Sequence, residues 1–265
     1  GTMTPEAVAA MQSAAPGDAS LPTATQWDLH ELELLDDASS LPDNPFDVEL
    51  FAVFTLDGGA SKPVQVRGFH DGGATFRVRF MPPRPGVWRY ETRSDRPALS
   101  NRRGGLRVAA ATTAGASPVR VHDNGRSFVH ADGSAHFSVG TTSYAWIHQG
   151  DATIRHTIQT LRDGPFNKLR MTLLPKWYQY NHVEPRHFPH EGSRGHFVKT
   201  RFNVTFWRRL DARLRELLAV GVQVHDATPR TTTHHPHTAP THTTPTLTGR
   251  PHPLPPVRRG PLGPR

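Results

Sequence analysis

Seven side chains in the middle of the chain have types and spacing that suit ligand chemistry: Trp146, His148, Arg170, Lys176, Trp177, Tyr178 and Tyr180. Aromatic rings offer flat π-faces on which a ligand can stack, and the guanidinium, ammonium and imidazole groups add hydrogen-bonding partners. The competing use of each aromatic is packing in a core or loop. Glu184 with His148 or His182 offers an acid–base pair, against which stands the ordinary solvation of a lone loop glutamate. The chain has no cysteine, which excludes a disulfide scaffold, a thiolate zinc site and a cysteine nucleophile. No catalytic residue, metal site or cofactor is assigned from the residues.

These groups must be held by the elements around them. A hairpin is expected over 128–137, turning at Asp132-Gly133, followed by a short strand over 138–142. Ile154, Ile158 and Leu161 fall on one helical face, with Gly164 placed at C′ and Pro165 enforcing the stop. Lys168 to Leu174 reads as an apolar strand of the parallel type. From Pro175 to Arg201 the chain reads as a long aromatic loop. Asn203 is a plausible N-cap for a helix whose apolar face is Trp207, Leu210, Leu214, Leu217 and Leu218, with Gly221 capping its end. Val222 to Val224 begins another strand. The alternation of strand and helix opens a parallel α/β fold, and long polar-aromatic loops after the strands suit a (β/α)8 barrel with its site on those loops.

The N-terminal half differs. Period-2 runs around residues 27–34, 48–54, 64–68, 76–80, 87–92 and 106–108 are separated by Asp-Gly-Gly, Pro and Gly-Gly turn chemistry. Short strands spaced in this way read as an antiparallel, immunoglobulin-like β-sandwich. Its aromatics Phe76, Trp88 and Tyr90 are assigned to packing between the sheets. The fold class is therefore multidomain β plus α/β. The expected divisions are a disordered leader over 1–25, a sandwich over 26–116, an incomplete barrel of about two βα units over 117–226, and a disordered tail over 227–265.

Length and charge sharpen this division. The chain has 265 residues and a formal net charge of +8. Residues 227–265 hold ten Pro, ten Thr, five His and five Arg, with no acid and no aromatic. Such a segment buries too little apolar surface to offset the entropy of ordering it. His234, His235, His237 and His242 resemble a metal-binding tract but lack a scaffold. The tail holds +5 of the charge and the body only +3, so no nucleic-acid partner is expected. No run approaches the roughly 18–20 apolar residues of a membrane span, and no membrane partner is expected. The first twenty residues have neither a basic start nor an apolar core, which favours a cytoplasmic location.

Several strings in order resemble known families. Trp27-Asp28, Asn44-Pro45-Phe46, Gly68-Phe69-His70-Asp71-Gly72, Val78-Arg79-Phe80-Met81-Pro82 and Gly86-Val87-Trp88 resemble the DUF5060 β-sandwich domain. Gly140-Thr141-Thr142-Ser143-Tyr144-Ala145-Trp146, the run from Gly164 to Met171, Pro175-Lys176-Trp177-Tyr178, Arg201-Phe202-Asn203 and Phe206-Trp207 resemble the start of a DUF4038-type, apiosidase-like barrel. The resemblance implies a glycoside hydrolase acting on plant or microbial glycans, with carbohydrate as partner and two carboxylates as catalysts. In such barrels the carboxylates come from later strands, so none is carried over here. A barrel takes about 250 residues, whereas 99 run from Phe128 to Asp226. A truncation or frameshift near residue 225 is the expected reason, and shifting a GC-rich apolar frame by one base yields Thr, Pro, His and Arg codons. A non-catalytic carbohydrate-binding module and a basic-tailed interaction protein remain the alternatives. Residues 128–226, short of a closed barrel, are expected to be partly molten or aggregation-prone, while 26–116 is expected to fold as an independent unit.

Overall fold

A computed structural model of the protein describes residues 20–59, 61–113, 117–175, 179 and 181–226, which belong to one compact unit. The N-terminal part is a sheet of seven strands: β1 (Thr23–Thr25), β2 (His30–Leu35), β3 (Leu50–Leu56), β4 (Val64–His70), β5 (Thr75–Phe80), β6 (Gly86–Ser94) and β7 (Arg103–Ala109). Their order is β1-β7-β6-β3-β4-β5-β2. All pairs are antiparallel except β1 with β7. β1 and β2 stand at opposite ends of that order, yet they are consecutive in the chain. The stretch from Thr25 to His30 spans at most roughly 18 Å, so the two edges lie near each other and the sheet nearly closes.

Gly68 makes the bend. β4 pairs with β3 up to Arg67 and with β5 from Gly68 onward. A Cβ on Gly68 would lie 2.6 Å from Leu50 Cγ, so only glycine lets the strand change halves there. The inward positions then meet across the interior. Phe54 of β3 stacks on Phe80 of β5 at 3.8 Å, and Phe80 meets Trp88 of β6 edge-on at 5.1 Å. β5 is hydrogen-bonded to neither β3 nor β6, so these contacts join two facing halves. The sandwich read from the sequence is one curled, nearly closed sheet. Trp88 is fully buried and its Nε1 donates to the Arg84 carbonyl, which bears out its assignment to packing.

The second part opens with a small antiparallel sheet of β8 (Val119–Val121), β9 (Phe128–His130) and β10 (Ala135–His136). Three parallel strands follow, β11 (Gly140–Thr142), β12 (Lys168–Met171) and β15 (Gln223–Asp226), side by side in chain order. Helix α1 (Asp151–Asp163) connects the first two. A hairpin, β13 (His190–Ser193) with β14 (His196–Phe202), and helix α2 (Val204–Ala219) connect the second to the third. Ile154, Ile158 and Leu161 of α1 and Phe206, Leu210 and Leu217 of α2 are buried against Leu169 and Met171 of β12. Each such side chain contributes about 1.5–3 kcal/mol on burial. The other face of this sheet is bare: Thr142, Lys168, Arg170, Gln223 and His225 on it are all exposed. Among the described residues no helix is long and apolar enough to cross a membrane.

Several expectations are corrected. Thr23–Thr25 is strand β1 rather than leader, and Leu21 before it is buried. Trp27 does not start a strand; at φ 66° it turns the corner into β2. Gly164 is extended rather than left-handed, because the following Pro165 pushes its neighbour toward β geometry. Leu218 is exposed, and Phe206 takes the buried place expected of it. The supposed loop before Arg201 contains the β13–β14 hairpin, whose turn is bounded by Gly192 and Gly195, both at positive φ.

The two parts are packed against each other within one compact unit. On the outer face of the sandwich, Glu31 and Glu33 of β2 lie opposite Arg79 and Arg77 of β5. Arg79 pairs with Asp211 of α2. Asp71 accepts from Arg77 at 2.6 Å and from Arg208 of α2 at 3.1 Å. Period-2 alternation thus puts Arg77 and Arg79 on the outside of one strand, and Arg79 links that strand to the helix.

Candidate functional site

A cleft of about 170 Å³ opens beyond the C-terminal end of β12, lined among others by His148, Asn181, Glu184, Phe188, Arg194 and Phe197. The ends of β11 and β12 are laced together above the sheet. Ser143 N–H donates to Arg170 O, and Thr172 donates through both N–H and Oγ1 to Tyr144 O. The chain then makes a single 3-10 turn, Trp146–His148. That turn delivers His148 to the cleft, where its ring lies flat against Phe206 of α2 at 5.7 Å.

The His148 imidazole has a defined proton arrangement. Nε2 is 3.0 Å from the Leu173 carbonyl, and a carbonyl only accepts, so Nε2 carries the hydrogen. Burial pushes the imidazole below the usual histidine range, against smaller opposing pulls from the Leu173 and Thr172 backbones. The ring is therefore neutral at pH 7. Asn181 is buried and its Oδ1 accepts from Gln149 at 2.8 Å. Glu184 faces Arg194 at 3.5 Å, both side chains half-exposed or more. Phe188 and Phe197 meet at 4.8 Å with tilted rings. The cleft thus combines an apolar aromatic wall, a neutral imidazole, an amide and a carboxylate–guanidinium pair. Glu184 is the one carboxylate among the described residues that line it.

The sequence-derived candidates separate here. His148 lines the cleft. Trp146 does not: it is 1% exposed and belongs to the second core, so its ring packs under the site and presents no face to a ligand. Arg170 is on the bare face of β12, with its guanidinium 5.6 Å from the Tyr144 ring. Lys176, Trp177, Tyr178 and Tyr180 lie outside the described residues, as does the tail with its histidines. Glu184 and His148 do share one cleft, while His182 is not in its lining. Arg194 and Phe197 were not foreseen. They arrive on the β13–β14 hairpin, whose signal was the spacing of Gly192 and Gly195 around a polar turn followed by Phe197 and Val198. Among the described residues no group of three or more His, Asp or Glu side chains is placed to hold a metal ion.

Residues 23–95 match the family model of DUF5060, described as a domain of unknown function. The fold is similar to the crystal structure of a Bacteroides vulgatus protein provisionally described as a glycoside hydrolase. The TM-score is 0.72 and the identity 31%, over 78% of this chain and 41% of that one. This chain therefore spans well under half of that protein's length. A glycoside hydrolase family 5 structure from the same organism matches at a TM-score of 0.30 and 14% identity, over 40% of this chain and 23% of that one. So low a TM-score carries no argument. No curated protein matches.

Proposed function

We propose that the chain is the N-terminal part of a glycoside hydrolase-like protein that handles plant or microbial glycans. The carrying observation is the similarity to the Bacteroides vulgatus structure, at 31% identity over 78% of this chain. On this proposal β11, β12 and β15 are the first three strands of a DUF4038-type (β/α)8 barrel. Their parallel pairing in chain order supports it. So does the sidedness of the sheet, with helices on one face and Lys168, Arg170 and His225 on the other, which would face a barrel interior. The cleft lies at the strand ends, where such barrels hold their substrates.

Hydrolysis of a glycosidic bond takes two carboxylates, an acid and a nucleophile or base. Glu184 is one carboxylate in the described cleft, and the chain has no Asp or Glu after Asp226. The chain as it stands is expected to bind a glycan without cleaving it, through the cleft together with Lys176, Trp177, Tyr178 and Tyr180. Residues 227–265 are proposed to be out-of-frame translation. Reading the gene past codon 224 in all three frames tests the barrel assignment. A frame that encodes further β/α repeats with two strand-end carboxylates is the expected result; no such frame would overturn it.

A further inference from the structure

A second and larger cavity, about 530 Å³, lies between the sandwich and α2. Its floor is β4, through Arg67, Phe69 and His70. Its opposite wall is Phe202 at the end of β14 and Val204, Trp207 and Asp211, which fall at i, i+3 and i+7 on one face of α2. Phe46, from the 3-10 turn Pro45–Asp47, closes one side. We propose that this cavity is a binding site for a neutral, hydroxylated ring ligand, a short oligosaccharide, distinct from the strand-end cleft. It goes beyond the proposed function and rests on the lining of this cavity alone.

The size falls within the roughly 300–1,000 Å³ of ligand pockets, which favour boundaries between packed parts of a protein. The walls are aromatic. Phe46 meets Phe202 edge-on at 5.3 Å, and Phe202 meets Trp207 edge-on at 5.8 Å. Phe202 is exposed and Phe46 and Trp207 are half-buried, so these rings keep surface open to the cavity. The charges balance, with Arg67 and Arg79 against Asp71 and Asp211. An anionic ligand would meet two carboxylates, and a cation two guanidinium groups, so a neutral ligand fits best. Asp211 accepts from Arg79 through both oxygens, and each oxygen keeps acceptor capacity. Arg67 is exposed and approaches Phe51 at 5.9 Å; among the described residues it makes no ion pair. A donor fork and an acceptor carboxylate across an aromatic cavity match vicinal hydroxyls, which both donate and accept.

The site is also held open in advance. The Arg79–Asp211 and Arg208–Asp71 pairs span its two walls, and Asn44 Nδ2 donates to Thr200 O at 3.3 Å. Gly72, at φ +95°, lets the β4–β5 turn approach α2, since a Cβ there would sit 3.3 Å from Val204 Cγ1. Preorganised walls lower the cost of binding.

The test is calorimetric titration of the full chain with cellotriose, xylotriose and maltotriose, with hydrogen exchange read on the wild-type complex. At least one trisaccharide is expected to bind saturably and to protect the amides of Arg67–Asp71 and Val204–Asp211. Arg67→Ala and Phe202→Ala, both at exposed positions, are expected to weaken it about tenfold each, with thermal unfolding confirming that they fold. Binding by none of the three overturns the proposal. So does binding that survives both substitutions and is lost in His148→Ala, a result that would leave the strand-end cleft standing. The exchange pattern decides should a variant fail to fold.

Discussion

His148 is a histidine that folding keeps neutral, and this has a measurable consequence. Its folded pKa lies below the usual value of ~6.5, so the unfolded chain binds the proton more readily. The stabilisation is complete above about pH 6.5 and is lost as the pH falls toward the folded pKa. His30 and His136 are lowered by burial in the same sense and contribute in the same window. His148→Gln is therefore expected to flatten, without abolishing, the loss of urea stability between about pH 7.5 and 5.5; an unchanged pH slope would count against the buried neutral imidazole. Asp71 behaves differently. Burial raises it, but hydrogen bonds from Arg208 and Arg77 more than compensate and hold it below the usual carboxylate range. Its contribution is present at neutral pH and disappears only as the pH falls below the carboxylate range. Asp71→Asn is expected to destabilise at pH 7 by about 1–2 kcal/mol, after allowance for the exposed Arg208, and to lose that penalty in acid. Equal penalties at both pH values would contradict the ion-pair explanation.

At the scale of elements, α2 shows how local chemistry sets its limits. Asn203 Oδ1 accepts from the N–H groups of Thr205 and Phe206 at the start. At the end, Gly221 N–H donates to Leu218 O and Val222 N–H to Leu217 O, the Schellman arrangement. Gly221 has φ +78° with open space around it, so Gly221→Ala is expected to cost about 1 kcal/mol through backbone strain alone. A chemical denaturation midpoint unchanged by that substitution would contradict the capping role. Gly192 is tighter: at φ +106°, a Cβ there would collide with the His196 carbonyl. Gly192→Ala is expected to cost about 2 kcal/mol and to disturb Arg194 and Phe197 in the cleft. These caps were legible in the sequence because Asn and Gly act through their own side chain or lack of one. The faces of α1 and most of α2 were legible because a 3.6-residue period needs no partner to be seen. Leu218 and Phe206 were exchanged because both lie at the margin of the apolar stripe, where only the packed sheet decides. The β13–β14 hairpin was hidden by its polar composition: Glu191, Ser193, His196 and Lys199 do not alternate with apolar residues, because neither face of that hairpin is a core. The parallel pairing of Thr23–Thr25 with β7 could not be read from a segment that is Thr and Ala. For the site, the strand end and His148 were legible, and the burial of Trp146 was not, since it depends on how the turn Trp146–His148 settles on α1 and α2.

For the whole molecule, the unexpected feature is the extent of contact between the two parts. An unfinished barrel was expected to be partly molten or aggregation-prone beside an independently folding sandwich. In the structure α2 rests between the second core and the charged outer face of the sandwich, joined through Asp211 and Arg208. One cooperative thermal transition is expected by near-ultraviolet signals from buried Trp88 and by the helical far-ultraviolet signal alike; two separate transitions would show independent parts. The central proposal is that this chain handles glycans at its strand-end cleft, where Glu184 is the one carboxylate among the described lining residues. The most direct measurement is a titration of the full chain with oligosaccharides from plant and microbial polysaccharides, followed by assay for newly released reducing ends. Saturable binding that Phe197→Ala weakens, with no reducing ends formed, is the expected result. Binding to none of them, or release of reducing ends by the chain as it stands, would contradict it.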